Sequence, residues 1–218
     1  MEKALTFIVV IIGWIFSLCL HEFSHALVAY YGGDTSVRDK GYLTFNPLKY
    51  THPIYSIVLP VVFLLLGGIG LPGGAVYIET WRLRNKRWES AVSLAGPVAN
   101  LIMAVFLAII MSIAPSTSNG IWPGLAFLAL MQISAVVLNL IPVPPFDGYH
   151  ALAPYLTQEL RARIDQAGGI IVMLVFLALW YFQPINTIFW QVIFQISTWL
   201  HIPVLLAIQG LNQFQFWR

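Results

Sequence analysis

The sequence predicts an all-α polytopic membrane protein of about five transmembrane helices, plus a re-entrant Gly/Pro-rich hairpin carrying a short strand. Three observations predict it. Hydrophobic residues make up 59% of the 218 and charged residues only 9%, against about 25% charged in soluble domains. Mean hydropathy is +0.79. Apolar runs recur along the whole chain, near residues 4–31, 54–78, 91–114, 121–141, 168–182 and 185–209. The dispersed net charge of +2 excludes a nucleic-acid surface. The lone Cys19 excludes a disulfide framework and a Cys-rich metal site. Residues 1–218 read as a single integral membrane domain. Its core covers about 4–150, and 151–218 adds an amphipathic linker and two C-terminal transmembrane helices.

The first run follows Lys3 and resembles a signal peptide. It is too long for one and no small-residue cleavage site follows, so it reads as a retained helix. Within it stands His21-Glu22-Phe23-Ser24-His25, an H-E-x-x-H motif. On a helix the i, i+4 spacing puts both imidazoles on one face, where they can chelate one Zn²⁺. Glu22 stands beside them as a candidate general base acting on water. A central acid costs roughly 2.5–3.5 kcal/mol on membrane insertion, so chance placement is penalised. Zinc, water and a base within lipid point to peptide-bond hydrolysis in the membrane.

The second run differs from the others. It holds Pro60, Gly67, Gly68, Gly70, Pro72, Gly73 and Gly74, a density that disfavours a straight helix. It reads as a re-entrant hairpin followed by a short strand at Ala75-Val76-Tyr77-Ile78. Charge placement agrees. If 54–78 does not cross, every Lys and Arg except Lys3 shares one side of the membrane. The positive-inside rule then puts the N-terminus outside.

The runs 91–114 and 121–141 read as straight crossings. Beyond the latter comes Asn139-Leu140-Ile141-Pro142-Val143-Pro144-Pro145-Phe146-Asp147-Gly148. The prolines end the helix and stiffen the chain, and Gly148 permits a sharp turn after the carboxylate. Zinc needs a third protein ligand, and Asp147 is the candidate. His25 lies roughly 9 Å from the end of its run at helical rise. With 54–78 re-entrant, that end and Asp147 reach the same face. With 54–78 spanning, they would lie on the order of 20 Å apart across the core. Charge and metal geometry thus select one topology independently. The rival ligands are His52, read as solvated, His150, able to line the site, and His201, read as a packing histidine.

The stretch Tyr155 to Gln166 is amphipathic and reads as lying on the inside membrane surface, ahead of the last two crossings at 168–182 and 185–209. The cluster Arg82-Leu83-Arg84-Asn85-Lys86-Arg87 sets topology and meets anionic lipid. Trp81, Trp88, Trp122 and Trp217 read as interfacial anchors.

These residues resemble the site-2 protease family of intramembrane zinc metalloproteases, in its compact subgroup without a PDZ or CBS domain. Three motifs carry the resemblance, in order: His21 to His25, Ala95-Gly96-Pro97-Val98-Ala99-Asn100, and Asn139 through Gly148, similar to N-x-x-P-x-x-P-x-D-G. Tyr149 departs from the Gly or Ser the family would place there. The resemblance implies His21, His25 and Asp147 as ligands of one zinc per chain, with Glu22 as catalytic base. It also implies that Asn139 stabilises the oxyanion or positions substrate. Gly96 and Asn100, four apart, serve close helix packing.

The function expected is zinc-dependent intramembrane endopeptidase action on transmembrane-helix substrates, in a prokaryotic plasma membrane with the site toward the cytoplasm. The alternative is a membrane zinc transporter or metal-sensing protein. Against it, the other apolar segments carry almost no ionisable groups to release an ion.

Overall fold

The computed structural model describes residues 1–50, 76–113 and 119–215. The proposed hairpin up to Ala75, His52 and Trp217 lie outside these. The described chain is helical. α1 (Glu2–Gly32), α3 (Lys86–Ile113), α4 (Trp122–Asn139) and α6 (Gln158–Tyr181) are long and apolar enough to cross a membrane. Short helices α2 (Ser36–Asp39) and α5 (Asp147–Leu152) follow α1 and α4. The chain closes with α7 (Gln183–Trp199) and α8 (Val204–Phe214).

α1 ends where Gly33 adopts φ 123°, a left-handed value that other residues rarely reach. The Asp34 amide then bonds back to the Ala29 carbonyl at 2.9 Å. A side chain at Gly33 would also strike the Arg82 carbonyl, 2.6 Å from an ideal Cβ. The Arg84 amide donates to the Gly32 carbonyl at 3.0 Å, so α3 begins where α1 ends. The two described ends that flank the intervening chain therefore lie together.

The main core joins Val10, Trp14 and Leu18 of α1 to Leu107 of α3, to Leu128 and Ile133 of α4, and to Ile193 and Phe214 near the C-terminus. A second cluster of Ala26, Ala29, Val37, Tyr42, Tyr50 and Val92 closes around the end of α1. Two polar pairs inside the bundle are matched. Ser17 bonds Gln132, and Thr6 bonds Gln213 at 2.7 Å. This satisfies groups that lipid could not.

Four sequence expectations change. No strand forms at Val76 to Ile78 among the described residues. No partner strand lies there among the described residues, and side chains of Glu22 and Lys40 take the Val76 amide and the Tyr77 carbonyl instead. The run 185–209 is not one straight helix: α7 and α8 meet at 120°. Pro203 opens α8 without an amide to offer α7, and His201 turns the chain at φ 56°. His201 is exposed at that break rather than packed. Finally, the amphipathic stretch to Gln166 is continuous with the next span inside α6, since nothing between Gln158 and Tyr181 removes a helical hydrogen bond.

Candidate metal centre

The i, i+4 spacing on α1 brings His21 and His25 together with their Nε2 atoms 3.0 Å apart. Both side chains are buried. Asp147 enters from the first turn of α5, with Oδ2 3.2 Å from His21 Nε2 and Oδ1 3.5 Å from His25 Nε2. All three ligand atoms lie within 4.8 Å of one another. Ligands about 2.0 Å from a tetrahedral zinc would stand about 3.3 Å apart, which these separations fit.

The surroundings fit a metal as well. Val92 O can only accept, so His25 Nδ1 donates to it at 2.6 Å and turns the Nε2 lone pair inward. Asp147 Oδ2 is buried and has no hydrogen bond of acceptable geometry, despite its closeness to His21. Gly96 of α3 faces the cluster. A Cβ there would sit 2.3 Å from His25 Nε2 and 2.5 Å from His21 Nε2. Any side chain would fill the space the imidazoles point into. The packing role read for Gly96 from sequence is thus incomplete: it keeps the ligand space clear. Its position in mid-helix before Pro97, where both residues weaken a helix, was the available signal.

Glu22 is 4% exposed, and its Oε2 accepts the Val76 amide at 3.1 Å. A cavity of about 590 Å³ opens from the cluster, with Glu22, Val76, Asn139, His150 and Arg161 on its wall. Asn139 Nδ2 is buried without a hydrogen-bond partner. His150 lines the cavity but stands outside the ligand cluster. Although its surface is exposed at the cavity, partial loss of water around the ring pushes its imidazole below the usual value, which favours the neutral form.

Asp147 is placed by its neighbours. Pro144-Pro145 is a cis peptide, and Phe146 leads into α5 with extended backbone. Gly148 is needed for a reason other than a turn. A Cβ there would lie 2.3 Å from the Leu140 carbonyl oxygen, so only glycine lets α5 fold back against the end of α4. Tyr149 is buried and donates to Asp165 Oδ1 at 2.6 Å, tying α5 to α6. Burial, then that hydrogen bond, pushes its phenol up to about 12.

Comparison with known proteins points the same way. The model of Peptidase family M50 matches residues 109–182. The protein named "Putative zinc metalloprotease Rip2" from Mycolicibacterium smegmatis is 44% identical over 97% of this chain and 81% of its own length. Its namesake from Mycobacterium tuberculosis is 42% identical over the same shares. "Putative zinc metalloprotease YwhC" from Bacillus subtilis is 32% identical over 76% of this chain and 78% of its own. No solved structure matches.

Proposed function

We propose that this chain, which belongs to peptidase family M50, the site-2 proteases, is a zinc-dependent endopeptidase that cuts within or near the transmembrane helices of other membrane proteins. One observation carries the reading. His21, His25 and Asp147 converge on a space kept clear by Gly96, beside a buried carboxylate, on a helix of membrane-crossing length.

His21 Nε2, His25 Nε2 and an Asp147 carboxylate oxygen would hold one zinc. When bound, zinc supplies Lewis acidity and lowers the pKa of water. Glu22, held through Oε2 by the Val76 amide, takes a proton from the attacking water. It then delivers that proton to the leaving amine nitrogen. Asn139 offers an unpartnered Nδ2 donor to the substrate carbonyl oxygen as negative charge develops there.

A transmembrane helix hides its amides in internal hydrogen bonds, so the substrate unwinds locally before attack. The extended stretch then lies along Val76 to Ile78 by backbone pairing. Large apolar side chains such as Ile102, Phe106 and Ile109 on α3 are exposed and face lipid. The distribution of Lys and Arg supports an outside N-terminus and a site toward the cytoplasm. The bacterial sources of the relatives support a prokaryotic plasma membrane.

The test compares wild type with Glu22→Gln on a model single-span substrate in detergent, with zinc assayed in both. Cleavage by wild type alone, with zinc in both, is expected. Zinc in both without cleavage by either would overturn the proposal and favour metal handling, to be followed by zinc flux in vesicles.

A further inference from the structure

The segment Val76–Glu79 has no regular secondary structure, yet its Val76, Tyr77 and Ile78 wall the same cavity as the metal cluster. Its backbone groups need partners, and no ladder supplies them among the described residues. One end is tied to the proposed base, through Val76 N to Glu22 Oε2 at 3.1 Å. The other end is tied to the stretch that directly follows α1. Asp34 is 0% exposed and accepts the Glu79 amide on Oδ2 at 2.8 Å. Its Oδ1 accepts the Ser36 amide at 3.1 Å and Ser36 Oγ at 2.6 Å. Lys40 Nζ donates to the Tyr77 carbonyl at 3.2 Å and to Glu79 Oε1 at 2.8 Å. It also lies 4.9 Å from the centre of the Tyr77 ring. Arg82 closes on the second carboxylate oxygen of Glu79.

The Asp34–Ser36 bonds alone are a local turn. The bonds to Tyr77 and Glu79 are not local, and they converge on the segment that also holds Glu22. A buried carboxylate is costly unless donors satisfy it, and here one of those donors is the segment's own amide. α1 therefore carries the proposed base and, just past its end, the anchor for the wall facing that base. In an extended chain one residue advances about 3.3 Å and reverses the side-chain face. A slip of Val76–Glu79 would shift any paired substrate by the same step.

We infer that Asp34 and Lys40 are positioning residues, which set the register of Val76–Glu79 against Glu22 and with it which substrate bond is cut. The inference rests on the peptidase reading and names the residues that give it positional specificity. Neither residue reaches the reacting atoms; both act through the segment.

The test uses the full-length protein with the single-span substrate and three variants: Lys40→Met, Lys40→Arg and Asp34→Asn. Three quantities are measured: kcat and KM, the cleaved bond by mass spectrometry, and amide hydrogen exchange of the peptide over 76–82. Lys40→Met should keep its zinc and lose about tenfold in kcat/KM. It should also spread cleavage to adjacent bonds and speed exchange over 76–82 by about tenfold. Lys40→Arg, which keeps the cation, should restore a single cleavage site. Asp34→Asn, which presents a donor where two acceptors are needed, should behave as Lys40→Met does. Unchanged exchange in both Lys40→Met and Asp34→Asn would overturn the clamp. Faster exchange with the wild-type bond and rate retained would overturn its role in positioning. A wild type that cuts nothing would instead sink the peptidase reading, and exchange would still report whether the clamp holds.

Discussion

α4 and α6 are both apolar enough to cross a bilayer, but 78% of the best apolar window of α4 is buried and only 6% of that of α6. α4 runs through the centre of the bundle. Small residues such as Gly124, Ala126, Ala129 and Ser134 let its neighbours approach closely. α6 carries Ile170, Met173, Leu174 and Leu177 on an exposed face that lipid would cover. Hydropathy decides which segments enter the membrane, and side-chain size decides which of them pack together there. Yet α6 also walls the cavity, through Arg161, Val172 and Phe176. Its ties to the site are few: the Tyr149–Asp165 bond and an edge-on contact of Phe146 with Phe176 at 6.3 Å. The protein thus joins a rigid ligand-bearing core to a lightly held wall.

Substitutions can break this contrast. Gly96→Ala strikes the rigid side, because its Cβ would lie 2.3 Å from His25 Nε2 with packed helices on both sides. Zinc retained by the purified protein should fall by about tenfold or more, with cleavage lost alongside. Full zinc content would mean that α3 can move away, and that the core is softer than its burial implies. Tyr149→Phe addresses the loose side. It removes a bond worth roughly 0.5–1.5 kcal/mol, at the low end because Asp165 is half exposed. Amide exchange should quicken in the first half of α6 and stay unchanged in α4. Leu174→Val on the lipid-facing side should change neither. Equal acceleration in α4 and α6 would show that the two helices open as one unit.

The smallest effect concerns pH and the Lys40–Glu79 part of the clamp. The hydrogen bond from Lys40 holds the Glu79 carboxyl below its ordinary value; desolvation opposes it, and Arg82 adds to the lowering. A depressed carboxyl stabilises the folded arrangement above its unfolded pKa, and that contribution fades as pH falls through the lower folded value. Fluorescence of Trp81, two residues away and exposed, should therefore hold steady through mildly acidic pH and change only below the ordinary Glu range. In Lys40→Met the change should begin at higher pH. Coincident profiles would remove the clamp from the account.

Much of the candidate ligand set was legible in the sequence because it depends on short spacings. His21 and His25 lie four apart on one helix, and Asp147 follows a proline-stiffened helix end. The structure brings these three together. Gly96 was legible only as a small residue, because its role depends on α1 lying against α3. Gly148 was read as a turn, while the reason it must be glycine is the carbonyl of Leu140, which comes close only after the chain folds back. Val76 to Ile78 looked like a strand by composition. Its partners are the side chains of Glu22 and Lys40, with Asp34 on the next amide at Glu79, and no local pattern announces such bonds. The 120° break before α8 could have been suspected from Pro203, but the two helices together still carry enough apolar sequence for one span.

The sequence by itself determined the class of molecule, most of its long apolar helices and the three side chains that meet at the candidate metal centre. These follow from hydropathy and helical periodicity, which act over a few residues. Tertiary structure alone decided which helix is wrapped by protein and which is left to lipid. It also decided that Gly96 keeps the space between the imidazoles clear, and that Glu22 is held by the amide of Val76. Those outcomes depend on shape and on hydrogen-bond partners brought from distant parts of the chain, and they exist only once the helices are packed.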